Sequence, residues 1–334
     1  MPARETTTDL TAQAPPAQVP PAASVRPAPL PWRTRLALSC LMLGIVAVWG
    51  WTFALMKGPI AEYGVVSFLA VRFVIGSAAL GLFAARRTNA KGLATGALIG
   101  IVLAGCYLFQ TFGLRHTTAT NTGVITGLFI VFAPLCNRLL FGVRTPATLW
   151  AAIGVSVLGL ALLTGAGPVR IAMGDLLTLG AAAGFGLHVA LLDRYAKRHD
   201  AAGLALGQLA AASITFLAIW PFVEPMAWPA PRVWFALLVT GLVATAAGFF
   251  VQTLVQRRLS AVETAAIIIV EPVFAAVFGY LLAGDRLTGL QIVGAVLVAG
   301  AMIAVEVYPR WAARRRTDER GVGKVSPTES GAEQ

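Results

Sequence analysis

Charge is what this sequence has least of: 12% of its 334 residues are Asp, Glu, Lys or Arg, while 57% are hydrophobic. An average soluble domain carries about twice that charge. Run after run here reaches the roughly 20 apolar residues that cross a ~30 Å hydrocarbon layer. A soluble globular fold is therefore excluded. Alternation of polarity is also missing. Stretches 36–56 and 287–307 are apolar on every side, where spanning strands would alternate over about ten residues. The fold class is all-α integral membrane, because in lipid only internally bonded backbone survives.

Cysteine is nearly absent. Cys40, Cys106 and Cys136 include no CxxC and no even framework, so a disulfide scaffold is excluded and they read as small packing residues. No HExxH, GxSxG or aspartate-rich pair occurs, so an intramembrane enzyme would lack its nucleophile–base pair or its metal ligands. Nothing resembles GxxxxGK[ST], which argues against direct ATP drive. No metal and no cofactor are expected. A sensor or assembly subunit would bring a soluble domain, whereas both tails have about thirty residues or fewer. The net charge of +11 does not point to nucleic acid, since the basic residues sit in short connections rather than on one face.

What is present is a series of ten apolar runs, centred near residues 46, 74, 103, 129, 156, 183, 212, 243, 273 and 297. Residues 1–31, rich in Pro, Ala and Thr, form a disordered tail. The first run, about twenty residues long and without a convincing cleavage site, should stay attached as helix one. Basic residues alternate between the connections. One set holds Arg33, Arg35, Arg86, Arg87, Lys91, Arg138, Arg144, Arg194, Lys197, Arg198, Arg257, Arg258, Arg310, Arg314, Arg315 and Arg316. The other holds Lys57, Arg115, Arg170, Arg232 and Arg286. Sixteen against five places the first set, and with it both termini, in the cytoplasm of a multi-pass protein of the cell membrane.

An internal repeat underlies this arrangement. "QTFGLRHTTA" from Gln110 matches "QTLVQRRLSA" from Gln252 without a gap, and Pro134 and Pro272 take similar places in the spans that follow. Five spans per half is an odd number, so the halves enter the membrane in opposite directions, the inverted repeat of secondary transporters. The expected division is 32–165 and 166–307 for the two five-helix repeats, with 308–334 a basic cytoplasmic tail.

Five segments carry a resemblance. They are "WGWTFALMK" (49–57), "GLRHTTATNTGVITGLFIVFAP" (113–134), "GDLLTLGAAAGFGLHVALLDRYAKR" (174–198), "VQTLVQRRLSA" (251–261) and "EPVFAAVFGYLLAGDRLTGLQIVGA" (271–295). Over roughly residues 36–307 the chain resembles the EamA-type transporters of the drug/metabolite transporter superfamily. Two departures stand out: Asp285 where the family usually has Glu, and Gly142-Val143-Arg144 where it usually has Glu. The resemblance implies a ten-helix carrier of a small metabolite, with a central cavity between its halves. Amino acids, nucleobases and organic cations or drug-like compounds all fall within the superfamily's range. Efflux is favoured by resemblance, and uptake would use the same architecture in reverse.

Eleven residues are candidates for a substrate or coupling-ion site. Glu271 is an ionisable group inside a span, which is expensive; it either binds a coupled proton or cationic substrate, or fastens its helix to a neighbour. Pro272 should kink its span and free carbonyls, and with Pro134 it points to a midplane site. Arg72 never loses its charge in practice, so it needs an acceptor: Glu271, an anionic substrate group, or helix-terminal carbonyls. Gln208 occupies roughly the place of Arg72 in the second half. Gln208, Gln110 and Gln252 serve either interhelical bonds or substrate. His188 reads as packed, cavity-lining or titrating. Trp49 and Phe53 either stack on a planar substrate or anchor at the interface. Thr126 bonds across helices or faces the cavity. Glu263 shares the face of Glu271 on a continuous helix, as a helix-start carboxylate or a proton route.

Overall fold

The computed structural model describes residues 30–301 apart from 85, 87, 143–146, 164–171, 260–263, 265, 266, 287, 295, 298 and 299. Both expected tails, and Glu263, lie essentially outside these residues. Every regular element among the described residues is helical. The helices are α1 Trp32–Tyr63, α2 Val65–Ala84, α3 Ala90–His116, α4 Ala119–Thr126, α5 Phe129–Phe141, α6 Ala147–Leu163, α7 Met173–Ala196 and α8 Ala201–Val223. A continuous rod then runs through α9 Pro231–Leu238, a π-helical stretch Val239–Ala247 and α10 Gly248–Arg258, followed by α11 Glu271–Leu282. Seven helical stretches among the described residues are long and apolar enough to cross a membrane, with Ala119–Phe141 and Pro231–Arg258 each counting as one.

The seven long stretches turn as helices because each is apolar over most of its circumference, and because short polar residues supply stop and start signals. Asn89 accepts from Gly92 N, Thr118 from Asn121 N and Asp200 from Gly203 N, each satisfying a donor that a helix start leaves open. Gly64, at φ +100°, lets α1 reverse into α2 within one residue. Large apolar side chains remain on the outside, with Leu82 and Phe222 about nine-tenths exposed. On a protein surface in water such a girdle would be a liability; against lipid it is the solvated face.

Polar side chains fasten helix ends across the bundle. Glu224, following α8, accepts from Val65 N at 2.8 Å, Ser67 N at 2.9 Å and Ser67 Oγ at 2.7 Å, so α2 is capped by a residue more than 150 positions away. Asp285 accepts from the backbone N (3.1 Å) and hydroxyl of Thr120, tying the end of α11 to the start of α4. The shorter carboxylate thus fulfils a structural role where the family pattern has Glu. Glu224→Ala should cost about 1–2 kcal/mol, seen as a lower unfolding temperature in detergent while far-ultraviolet helicity is retained.

Helix–helix contact is closest where glycine replaces a side chain. A Cβ on Gly96 would lie 2.3 Å from Leu204 O, one on Gly100 2.4 Å from Gln208 O, and one on Gly207 2.3 Å from Leu93 O, so α3 and α8 meet backbone to backbone. The 96/100 pair therefore does the packing its spacing suggests. Of 180 and 184, only Gly184 is tight, against Cys106 Sγ at 2.7 Å.

The fourth and ninth apolar runs are broken, and not where proline alone would break them. Between α4 and α5 the chain passes through Gly127 and Leu128, whose amides bond to Gly123 O and Ile125 O. Before α11 it turns at Ile269 and Val270, and Val270 N bonds to Ile267 O. Leu128 and Val270 have nearly the same backbone angles, φ −64° ψ −10° and φ −75° ψ −13°. Val270 stands 142 residues after Leu128, the same separation as Gln252 from Gln110. The register of the sequence repeat thus runs without a gap into these helices, and it brings Phe132-Ala133 over Phe274-Ala275.

This corrects the expected role of the prolines. Pro272 does not kink a continuous helix; it is the second residue of a new one, where its missing N–H had no partner to lose. Pro134 lies inside α5 and is the counterpart of Ala276, not of Pro272. The counterpart of Glu271 is consequently Phe129, the first residue of α5.

Candidate functional site

Both breaks end at one central cavity. Its wall is built from residues at two constant separations. From α1 and α7 come Trp49 with Phe185, Thr52 with His188, and Phe53 with Val189, each pair 136 residues apart. From α3 and α10 come Tyr107 with Phe249 and Gln110 with Gln252; from the broken helices come Thr126 with Ile268 and Phe129 with Glu271, all 142 apart. All fourteen wall residues thus fall into seven matched pairs, one member in each half. Outside the wall, Gly50 of α1 abuts Phe274 Cβ and Ala275 N, while Gly186 of α7 abuts Phe132 Cβ and Ala133 N. Here too each half repeats what the other does.

Seven of the eleven residues singled out in the sequence lie on the wall: Trp49, Phe53, Gln110, Thr126, His188, Gln252 and Glu271. Arg72, Gln208, Pro134 and Pro272 do not. Trp49 is no interfacial anchor: it is buried, and its Nε1 donates to Ala244 O at 2.8 Å. That carbonyl belongs to the π-helical stretch, whose wider turns are a recurrent feature of functional helices. Gln110 Nε2 donates to Thr126 Oγ1 at 3.1 Å, so Thr126 both bonds across helices and faces the cavity. Among the described residues, Gln252 Oε1 is buried without a partner.

Arg72 and Gln208, 136 residues apart, stand behind the wall in corresponding roles. Arg72 is 1% exposed. Its Nε donates to Thr245 Oγ1 at 2.8 Å, its Nη1 meets Met56 Sδ at 3.2 Å, and its Nη2 donates to Tyr107 Oη at 3.4 Å. The guanidinium also stands 4.8 Å from the Tyr107 ring centroid, a cation–π contact. Neither Glu271 nor a helix-terminal carbonyl is its acceptor. Gln208 holds His188: the Nε2–Oε1 distance is 2.7 Å, and Gln208 Nε2 donates to Leu204 O at 3.1 Å. Because a carbonyl can only accept, the amide nitrogen belongs on Leu204, its oxygen faces His188, and the imidazole proton sits on Nε2.

Glu271 is 8% exposed and has no hydrogen-bond or ion-pair partner among the described residues. It opens α11, so the positive end of that helix's dipole lies at its carboxylate. Among the described residues it is the one acidic group on a wall otherwise made of rings, amides, hydroxyls and two aliphatic side chains, Val189 and Ile268. Sequence reasoning missed Tyr107, Phe129, Phe185 and Phe249, since an aromatic residue in a span looks the same whether it faces lipid or a cavity. The 142-residue repeat held the signal: one turn before Gln110 and Gln252 it gives Tyr107 and Phe249.

Comparisons with known proteins bear on what such a cavity serves. The EamA-like transporter family matches residues 37–165 and again 172–306. An uncharacterized transporter of Archaeoglobus fulgidus is 30% identical over 268 residues, covering 80% of this chain and 85% of that protein. The uncharacterized transporter YoaV of Bacillus subtilis is 24% identical over 276 residues, covering 77% of this chain and 94% of its own. One solved crystal structure superposes with a TM-score of 0.66 at 19% identity, over 80% of this chain and 96% of the other, a likeness of fold alone.

Proposed function

Because this chain belongs to the EamA-like transporter family and is a multi-pass membrane protein, we propose that it is a secondary carrier. It moves a small metabolite or organic compound across the cell membrane by alternating access, in the efflux direction. The observation that carries this reading is the cavity whose wall pairs residue for residue between the two halves. Ten spans form two five-helix repeats, 32–165 and 166–307, inserted in opposite directions with both termini cytoplasmic. Matched halves around one site have two equivalent arrangements, each opening to a different side, so that rocking between them moves a bound solute without a continuous pore.

The polar ties at helix ends fit this mechanism. Lys57 Nζ donates to Thr117 O at 2.8 Å, and Thr117 Oγ1 donates to Asp175 Oδ1 at 2.8 Å, joining α1, α3 and α7 on the side assigned to the exterior. Part-buried hydrogen bonds of this kind can break and re-form as the halves move, as a gate requires. Glu271 is the group that couples transport to a proton, since a carboxyl without a fixed partner can exchange one as the cavity changes sides.

Purified protein in liposomes tests the proposal. Vesicles loaded with candidate amino acids, nucleobases and organic amines should show exchange or pH-driven flux above protein-free vesicles for at least one class. Equal leak from both kinds of vesicle for every class would overturn it.

A further inference from the structure

The chemistry of the wall defines the charge of the ligand, and we propose that the cavity binds an organic ammonium that has an aromatic or bulky apolar body and no carboxylate. This rests on the carrier reading for its biological meaning but is testable as binding alone.

The polar atoms left open on the wall are decisive. Among the described residues, the Glu271 carboxylate has no partner, and Gln252 Oε1 is buried and unbonded. Both only accept. Leaving such groups dry is costly, so the fitting ligand brings N–H donors, and for the carboxylate a positive charge. Around these stand six aromatic rings, Trp49, Phe53, Tyr107, Phe129, Phe185 and Phe249, whose faces attract a desolvated cation and whose area suits an apolar body. The hydroxyls of Tyr107 and Thr126, which accept from Arg72 and Gln110, each keep a proton to donate to a neutral oxygen on that body.

A zwitterionic amino acid or an organic acid fits less well, because no cationic side chain on the described wall offsets its carboxylate. No Lys or Arg belongs to the wall. Among the described residues the nearby cation, Arg72, is sealed behind Tyr107 with its nitrogens engaged by Thr245, Met56 and Tyr107.

The test is equilibrium binding to the full chain in detergent, by calorimetry, with four probes of similar shape: phenethylammonium, phenylalanine, 3-phenylpropionate and 2-phenylethanol. Phenethylammonium should bind about tenfold or more tightly than phenylalanine, which adds only the carboxylate, and than 3-phenylpropionate. Glu271→Gln should remove the preference, so that phenethylammonium and 2-phenylethanol bind alike. Because the ranking is measured on the unaltered chain, it stands even where the variant folds poorly. Equal or tighter binding of phenylalanine or 3-phenylpropionate, or no binding of the ammonium, would overturn the proposal. Flux separates the two readings. Amino-acid transport without ammonium binding ends this inference and keeps the carrier; ammonium binding with no flux of any solute does the reverse.

Discussion

Glu271→Gln should abolish concentrative, pH-driven transport while leaving a slower downhill exchange. The substitution keeps the shape and the hydrogen-bonding atoms but fixes the side chain in its neutral form. A proton can then neither load nor leave at that position, and an imposed pH gradient loses its hold on the solute. The groups that face Glu271 across the cavity are Tyr107 and His188, with Arg72 behind the first. Of the helices packed on α11, α1 presents Trp49 and Phe53 to the cavity and α4 presents Thr126, none of which titrates near neutrality. Loss of gradient-driven accumulation should be on the order of tenfold or more, because only the coupled step stores the gradient's free energy. A variant that accumulates solute with wild-type dependence on the gradient would take Glu271 off the proton path.

Gly207→Val should have the largest effect on stability. Its Cβ would stand 2.3 Å from Leu93 O and 2.9 Å from Ala97 N, backbone atoms of a helix that cannot move aside singly. Helices α3 and α8 would have to separate along the whole seam formed by Gly96, Gly100 and Gly207. Overpacking at such a site costs about 3 kcal/mol, with early unfolding and aggregation in detergent. Gly105→Ala, where a Cβ meets nothing within 4 Å, supplies the contrast. It should unfold at or slightly above the wild-type temperature, since alanine favours helix by roughly 1 kcal/mol over glycine. If both variants unfold alike, backbone contact at Gly207 is not what fastens the bundle.

The helical class was legible from hydropathy, because lipid forces every backbone group to bond within its own segment and leaves one solution for apolar runs of this length. The polar half of the site was legible for the same reason. Gln110, His188, Gln252 and Glu271 are expensive in a span, and all four lie on the cavity wall. Arg72 and Gln208 followed the same logic to a different end. They are buried polar groups that orient Tyr107 and His188 from behind, and sequence cannot distinguish facing a cavity from bracing its wall. The breaks were misplaced by a few residues because proline drew attention. Pro272 occupies a helix start, where it does no harm, and the turn at Ile269 and Val270 precedes it. The aromatic half of the wall was not legible one residue at a time. It emerges only when the 142-residue and 136-residue separations are applied to whole helices, and no motif marks the six residues gained between α8 and α10 relative to α2 and α3.

The most direct test of alternating access through this cavity is thiol accessibility at Thr126. In a chain whose Cys40, Cys106 and Cys136 are replaced by serine, Thr126→Cys puts a near-isosteric thiol on the cavity wall. A membrane-impermeant thiol reagent should modify it when added to either face of sealed vesicles, and modification should block flux. Modification from neither face, or flux that continues unchanged after complete modification, would contradict passage through this cavity.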